Sequence, residues 1–582
     1  MRFLVYSPVD EGTLKEKLGT AEYSYFFVMR GFLPVLSELG DVVHITDPDR
    51  EADALFDEAT AAGEDCRLVC FCPPNRAPVG LRCPTTAVVA WEFDSVPSIP
   101  WDGEPRNDWR TVLADHGNVI TLSQHTADVV RATMGQDFPV TAMPVPVFDQ
   151  LAVVHDGGKD PIAHGSIRFR GRLIDSGAVD YLGDEVELRD PLAFCRETYD
   201  GSQRTFKFAE GEVGPEFLLG FYNPEVWGAW SRSEGPAVLL PFALTGRVRF
   251  SILAAGHGYN VGRTVTVSVG GSSHDITLGA EPTRYEFTLD VREPSNLVRF
   301  TGIDAREFPG TMDTRTMGMG LMEVSVRRAG VMGRLRRRGG RDDRGSDPAA
   351  GSPVPVAAAE QVVQLDGIIY TSVLNPEDGR KNWHDLVSAF IHAHRTHDDA
   401  TLVLKLTHRT AETLVGDMLT DLRVNGRMAC RVVAVHGFLP DEDLARLMTC
   451  TTYYANASKA EGLCLPVMEF MSAGVPAVAP DHTAMADYVT SANTFIVNSF
   501  IEPTAWPADP QRRLTTSYHR IDWESLSEQF AASYAVAKED PDRYREMSTE
   551  AVATQRRYSA DTPVAQRLAL HLQAVAAQGV PA

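Results

Sequence analysis

Cysteine is scarce in this chain, 8 among 582 residues, and the four that lie closest together, Cys66, Cys70, Cys72 and Cys83, contain no C-x-x-C pair. That spacing argues against a structural zinc site or a disulfide framework and for reduced, mostly buried thiols. Long apolar runs are also missing, and the opening MRFLVY leads straight into strand-like sequence with no basic segment before it. Neither a signal peptide nor a transmembrane helix is expected, and a cytoplasmic protein is. Positive charge is in deficit: 55 Lys and Arg stand against 78 Asp and Glu, a net charge of -23. Such a surface repels a polyanion, so nucleic acid is not expected as a partner. Two further signatures are absent. No DxD-type metal motif falls at a suitable strand end, and residues 7–19, SPVDEGTLKEKLG, carry Gly12 and Gly19 without forming a dinucleotide fingerprint. Gly12 belongs either to a turn that lets an acceptor approach or to a plain surface loop, and no cofactor or metal is expected.

What is present is an α/β pattern, interrupted once. The length predicts about three to four domains. Residues 1–148 alternate strand and helix, with strands at 2–6, 42–45, 67–71, 86–91 and 118–122 and helices at 21–39, 50–62 and 124–134. Alternation of this kind predicts a parallel sheet covered on both faces, with ligands at the carboxyl ends of its strands. The strand at 86–91 runs into AWEFDSVP, residues 90–97, which sets Glu92 and Asp94 at that edge; a solvated strand end accounts for them equally well. In TLSQHTADVVR, residues 121–131, Ser123 has the character of a helix N-cap.

The alternation stops near Pro144-Val145-Pro146 and resumes at Asp366. Residues 149–205 read as an irregular connector, and residues 206–330, with short strands of period two and turns such as Gly270-Gly271-Ser272, as an antiparallel β-sandwich of jelly-roll type. Within it Trp227 and Trp230 are candidates to stack on sugar rings, although core or rim packing is the commoner fate of such residues. Residues 331–360, rich in Arg, Gly, Pro and Ala, predict a flexible linker whose Arg cluster at 334–344 offers a peripheral contact to anionic lipid head groups or a lipid-linked acceptor; a solvated linker is the plainer reading. Residues 361–560 predict a second Rossmann-like domain and residues 561–582 a further helix, which the family resemblance given below implies returns toward the first.

The stretch that organises this second domain is residues 458–480, SKAEGLCLPVMEFMSAGVPAVAP. It predicts a loop, a helix of about three turns starting near Pro466, and a short buried strand. Free backbone N–H groups ahead of Pro466, with the positive end of the helix dipole, make a seat for a diphosphate. Glu461 in the loop and Glu469 one turn into the helix flank that seat. A carboxylate facing a diphosphate repels it, so both should turn toward hydroxyl groups, and a nucleotide sugar meets both demands. Upstream, NPEDGRKNWHDLVSAF, residues 375–390, sets Arg380 and Lys381 side by side after a strand at 368–373. Two cations there suit a departing diphosphate, because Coulomb attraction grows as the bond breaks. The bland alternative is a basic turn that caps the helix following it.

The run Glu461-Gly462-Leu463-Cys464-Leu465-Pro466-Val467-Met468-Glu469, followed by Ala473-Gly474-Val475-Pro476, resembles the E-x7-E signature of retaining GT-B glycosyltransferases, particularly family four. The resemblance implies two Rossmann-like domains flanking a cleft, here with an inserted domain, and transfer of a sugar from a nucleotide-sugar donor. It places Glu461 beside the transferred sugar and gives Lys381 and Arg380 the leaving diphosphate. Glu469 takes the ribose hydroxyls, and Gly462, Leu463, Cys464, Leu465 and Thr483 line the donor. The family usually has Gly where Cys464 stands, an Arg a few residues before the position of Arg380, and a glycine-rich turn where Thr483 and Met485 lie. The His that often contacts the sugar near residue 92 is missing, so that contact falls to Glu92, Asp94 or His116. The nucleobase belongs to the loops at 407–409 and 436–439, whose residues do not distinguish one base from another. By analogy with enzymes bearing such inserts, the acceptor is a glycan or a lipid-linked glycan in bacterial polysaccharide synthesis. The rival readings are a non-catalytic glycan-binding protein on a degenerate GT-B body and another GT-B sugar-phosphate enzyme.

Overall fold

A computed structural model describes the chain apart from residues 11, 13–21, 155–156, 183–184, 196, 211, 213–217, 223, 307–314, 330–359, 409–417, 419–421, 423–424, 507–512 and 578–582. The expected linker and its Arg cluster lie outside the described residues. Two compact units emerge, one made of Met1–Phe169, Val362–Arg409 and Met428–Ala582, the other of Arg170–Gln361 and Thr410–Arg427.

The first unit contains two parallel sheets. Its amino-terminal lobe is built on β1 (Arg2–Tyr6), β2 (Asp41–His44), β3 (Cys66–Phe71), β4 (Thr85–Val89), β5 (Val119–Thr121) and β6 (Val140–Ala142), in the order β2-β1-β3-β4-β5-β6. Phe3, Leu4 and Val5 are all fully buried, as a strand covered on both faces requires. The helices Tyr23–Leu39, Pro48–Ala61, Trp109–His116 and Gln124–Met134 supply the cover. Ser123 is the N-cap of the last of these, its side chain accepting the N–H of Thr126 at 3.2 Å.

Residues 149–205 are more ordered than an irregular connector. Lys159 donates to the carbonyls of Met448, Thr449 and Thr451 at 3.2, 3.2 and 2.7 Å, and β7 (Ala163–Asp175) then enters the second parallel sheet. Ala163, Ile167 and Phe169 of β7 are buried while His164 and Arg168 are exposed, a period-two signal that no neighbouring turn residue punctuates.

In the second unit, β8 (Val179–Leu182) and β9 (Glu185–Leu188) form a hairpin. They precede β10 (Arg204–Lys207), β11 (Leu218–Leu219), β12 (Ala229–Trp230), β13 (Ala237–Gly256), β14 (Thr264–Val269), β15 (Ser272–Thr277), β16 (Thr283–Thr301) and β17 (Met319–Arg328). These eight are antiparallel and run β10-β17-β13-β16-β14-β15, with β11 on β13 and β12 on β17. Two strands are far longer than expected: β13 has 20 residues and β16 has 19, and their ladder shifts register between Leu239 and Gly246. Such bulges let one strand bend and serve two parts of a sheet. One apolar core that includes Phe208, Phe242, Phe250 and Phe300 results.

The second lobe of the first unit contains β18 (Glu360–Leu374), β19 (Ala400–Leu406), β20 (Arg431–Phe438), β21 (Tyr453–Ala455), β22 (Ala477–Ala479) and β23 (Thr494–Ile496), in the sheet order β19-β20-β7-β18-β21-β22-β23 with β19 also pairing β18. A hairpin of β24 (Ser499–Ala505) and β25 (Thr515–Ile521) follows, then the helices Trp523–Glu539, Pro541–Ser559 and Asp561–Ala577. Thr141 on β6 bonds His571 of the last helix at 2.9 Å, which ties that helix to the first lobe. The chain is thus α/β, with the two-lobed GT-B architecture and an antiparallel insert.

Candidate active site

The loop between β21 and the helix Leu465–Ser472 is held from several sides. Asn456 accepts the N–H of Ser458 at 2.8 Å and donates to the Cys464 sulfur at 3.3 Å. Tyr488 donates to the Leu463 carbonyl at 2.7 Å, and the Thr483 hydroxyl accepts the N–H of Glu461 at 3.0 Å. The helix has 8 residues, about two turns instead of three. Its N-cap is Cys464, in the left-handed region at φ 63, and Thr483 sits there too at φ 52. Side chains are strained in that region and glycine is not, which explains why the family resembled keeps glycine at both places. At Gly462 an added Cβ would lie 3.0 Å from the backbone nitrogen of Trp91, so the loop touches the end of β4 and the two lobes meet there.

Five charged groups gather at this contact, two cations and three carboxylates. Lys381 lies 2.6 Å from Glu461, and both side chains are largely buried. Arg380 donates to the Ala460 carbonyl at 2.7 Å and to Asp378 at 2.8 Å, and pairs with Glu92 of the first lobe at 3.3 Å. The neighbouring cations therefore point apart: a 3-10 turn at Gly379–Lys381, fixed by Asp378 accepting the Arg380 N–H at 3.1 Å, sends one to each carboxylate. Burial alone would raise the Glu461 carboxyl, but Lys381 and Arg380 outweigh it and hold it at about 2. Burial also opposes charge on Lys381, and Glu461 more than compensates, so the ammonium stays protonated. Glu92 is raised by burial, with Arg380 pulling the other way. Glu469 is different in kind. Burial pushes it up to about 7, with Arg30 only partly opposing, and among the described residues it has no hydrogen-bond partner.

The structure brings Glu461, Lys381, Arg380 and Glu92 together, with Gly462, Leu463, Cys464, Leu465 and Thr483 around them. It does not bring Asp94, His116, Gly12, Trp227 or Trp230 to this cluster. Asp94 is occupied as a clasp between lobes, one oxygen accepting from the Thr516 hydroxyl at 2.7 Å and the Ser517 N–H at 2.9 Å. His116 is buried, bonded to the Pro78 carbonyl at 2.8 Å, and ends a helix that leads into the amino end of β5, the edge opposite the ligand side. Gly12 is exposed in a turn, and most of its loop lies outside the described residues. In the second unit Trp227 and Trp230 meet edge to face at 4.7 Å, and both press on Gly320 of β17, so they do not form one flat platform. Sequence reasoning missed Asp378, whose place two residues before Arg380 is an Asx-turn signal. It also missed His482, stacked on His519 at 4.0 Å beside the loop. Among the described residues no group of His, Cys, Asp and Glu could hold a metal ion, and no helix is long and apolar enough to cross a membrane.

Residues 366–507, the part of the second lobe that carries Lys381, Glu461 and Glu469, match the family described as "Glycosyl transferases group 1". Residues 197–328 match a "Domain of unknown function (DUF7024)". No curated protein matches the chain. Solved structures similar to it include Anabaena Alr3699/HepE in complex with UDP and glucose, at 18% identity over 36% of this chain and 48% of that one, TM-score 0.27. Another is the pneumococcal O-GlcNAc transferase GtfA in complex with UDP and GlcNAc, at 13% identity over 36% of each chain, TM-score 0.27. A third is a sucrose-phosphate synthase from Thermosynechococcus elongatus, at 19% identity over 36% of this chain and 46% of that one, TM-score 0.27. The matched part spans less than half the length of these structures. The family match over the site-bearing lobe, together with the site's geometry, supports a glycosyltransferase.

Proposed function

We propose that the protein is a retaining glycosyltransferase, moving a sugar from a nucleotide-sugar donor to a glycan or lipid-linked acceptor in bacterial polysaccharide synthesis. The observation that carries this reading is the buried Lys381–Glu461 pair at 2.6 Å, set with Arg380 and Glu92 at the junction of the two lobes. Held ionised, Glu461 orients the sugar and stabilises positive charge developing at the anomeric carbon. Lys381 and the amino end of the helix Leu465–Ser472 meet the negative charge that builds on the departing diphosphate, in a site from which closure excludes water. Arg380, braced between Ala460, Asp378 and Glu92, keeps the loop and the first lobe in register and adds its field. Glu469 offers an unpaired carboxylate to the ribose hydroxyls. In this reading the enzyme works in the cytoplasm, with the 334–344 Arg cluster as a peripheral contact to the membrane surface, and no metal takes part.

Two measurements test it together. A thermal-shift panel of UDP, GDP, ADP and inorganic phosphate should show a nucleotide raising the melting temperature, because a ligand that binds only the folded form stabilises it. Donor hydrolysis should then fall by about a hundredfold or more in Glu461→Gln, the scale of losing one positioned electrostatic group. No nucleotide shift and no turnover would refute the proposal, and unchanged turnover would remove Glu461 from the mechanism.

A further inference from the structure

The hairpin of β24 and β25 belongs to the second lobe, yet one edge of it serves both lobes. Along β25 alternate residues turn their backbone groups away from β24, and these are Thr515, Ser517 and His519. The Ser95 hydroxyl donates to the Thr515 carbonyl at 3.1 Å, and the Ser517 N–H donates at 2.9 Å to the Asp94 oxygen that also accepts the Thr516 hydroxyl. The His519 N–H donates to the Lys459 carbonyl at 2.8 Å. Asp94 lies two residues after Glu92 and Lys459 two before Glu461, so a single strand edge holds the arms that carry both site carboxylates. The Lys459 N–H in turn donates to the Arg380 carbonyl at 2.8 Å. The His519 ring stacks on His482 at 4.0 Å, next to Thr483, whose hydroxyl accepts the Glu461 N–H at 3.0 Å. Beyond β24 the hairpin is anchored by Trp506, only 7% exposed, with its ring 5.8 Å from Trp91 and 5.1 Å from Trp101. The other buried members of that apolar core, Val89, Phe93 and Trp109 among them, all come from the first lobe. Parting the lobes would expose the Trp506 ring and break the Asp94 and Ser95 bonds in the same movement.

We propose that Asp94 and Trp506 are positioning residues: through the outer edge of β25 they hold the Glu461 loop against the end of β4 in the unliganded protein, so that the donor enters a cleft already formed. The consequence for sugar transfer rests on the reading of the site given above; the clasp itself does not. Neither residue touches the reacting atoms. They act through Lys459 and Trp91, the residues that meet the loop from its two sides.

The test is hydrogen exchange on the full-length protein without ligand, in wild type, Asp94→Ala, Asp94→Asn and Trp506→Phe, paired with donor hydrolysis and a nucleotide titration. In wild type the outward amides of Ser517 and His519 should exchange slowly before any ligand is added. Asp94→Ala should speed exchange across residues 458–464 by about tenfold or more, the scale of one hydrogen bond to a charged group. It should lower kcat by about as much while leaving nucleotide affinity within about twofold, the pattern of a group that matters only once the reacting parts must be aligned. Asp94→Asn, whose amide oxygen still accepts, should restore both, and Trp506→Phe, which keeps an aromatic anchor of smaller size, should act in the same direction to a smaller extent. Fast exchange at Ser517 and His519 in wild type overturns the clasp. Faster exchange confined to residues 90–97 and 515–517 in Asp94→Ala, with the 458–464 loop and kcat unchanged, makes Asp94 a merely structural contact and overturns its positioning role. Absence of turnover in wild type counts against the glycosyltransferase reading instead, and the exchange arm then decides the clasp by itself.

Discussion

Replacing Glu469 by Gln should make the protein more stable and less able to bind a nucleotide, and the stability gain should depend on pH in a defined direction. The Glu469 carboxyl is pushed by burial from 4.5 to about 7. A carboxyl whose value is raised on folding stays protonated in the native state while the unfolded chain ionises. At pH 4.5 or below both states hold the proton and nothing is lost. Stability is then lost as pH rises from 4.5 toward 7 and stays lost above it. A difference of about 2.5 units corresponds to about 3 kcal/mol, and because the side chain is half-buried and reached by solvent, about 1–2 kcal/mol is the working figure. Glutamine carries no such cost. Urea unfolding without nucleotide should therefore show Glu469→Gln more stable by that amount at pH 8 and equal to wild type at pH 4.5. In the binding arm, if Glu469 accepts the ribose hydroxyls as proposed, loss of its carboxylate should weaken the nucleotide by about tenfold or more. Wild-type affinity should rise from pH 6 to pH 8, and the variant's should not. An equal change at both pH values, or a destabilised variant at pH 8, would show that the Glu469 environment has been misread.

Three further perturbations follow from the loop and its ion pair. Lys381→Met leaves Glu461 buried without its 2.6 Å partner and should cost about 3–5 kcal/mol in thermal or urea unfolding; Glu461→Gln in the same chain should restore most of the loss, and a simple additive result would mean the pair is not coupled. At position 464, with φ at 63, Gly should leave stability within about 1 kcal/mol of wild type, whereas the β-branched Val should cost about 2 kcal/mol or more; the reverse order in melting temperature would contradict the left-handed backbone there. Gly462→Ala places a Cβ 3.0 Å from the Trp91 nitrogen, where the two lobes touch, so turnover should fall more than nucleotide affinity in a calorimetric titration.

The parts of the fold legible in the sequence are those whose signal is local. β1, apolar from Phe3 to Val5, and the Ser123 cap announce themselves within a few residues, and the E-x7-E run carries its loop, helix and following strand in one stretch. What escaped depends on partners distant in the chain. β7 alternates plainly, but its neighbours are β18 and β20, more than 180 positions on, and nothing local says that a strand inside an apparent connector completes that sheet. Asp94 stands at the edge that the sequence indicates, but the β25 residues that claim its oxygen, Thr516 and Ser517, lie 422 and 423 positions away and leave no local signal. For His116 the signal is local: the order helix-then-strand puts it at the amino end of β5, the edge opposite a ligand.

The adjacency of Arg380 and Lys381 departs from the family spacing, and the structure gives that departure a physical sense. Two cations on successive residues of an extended strand would point to opposite faces. In the tight turn fixed by Asp378 they diverge instead, one toward a carboxylate of each lobe, Glu92 and Glu461. Arg380 thereby couples the lobes and Lys381 neutralises Glu461, and neither is free until a more strongly anionic group arrives. A diphosphate entering between them would compete for Lys381 first, because Arg380 is also bound to Ala460 and Asp378, and would release Glu461 toward the sugar at the moment the leaving group is gripped. On this argument the shifted Arg is a brace whose loss should loosen the meeting of the lobes more than it weakens the nucleotide, while loss of Lys381 should strike both.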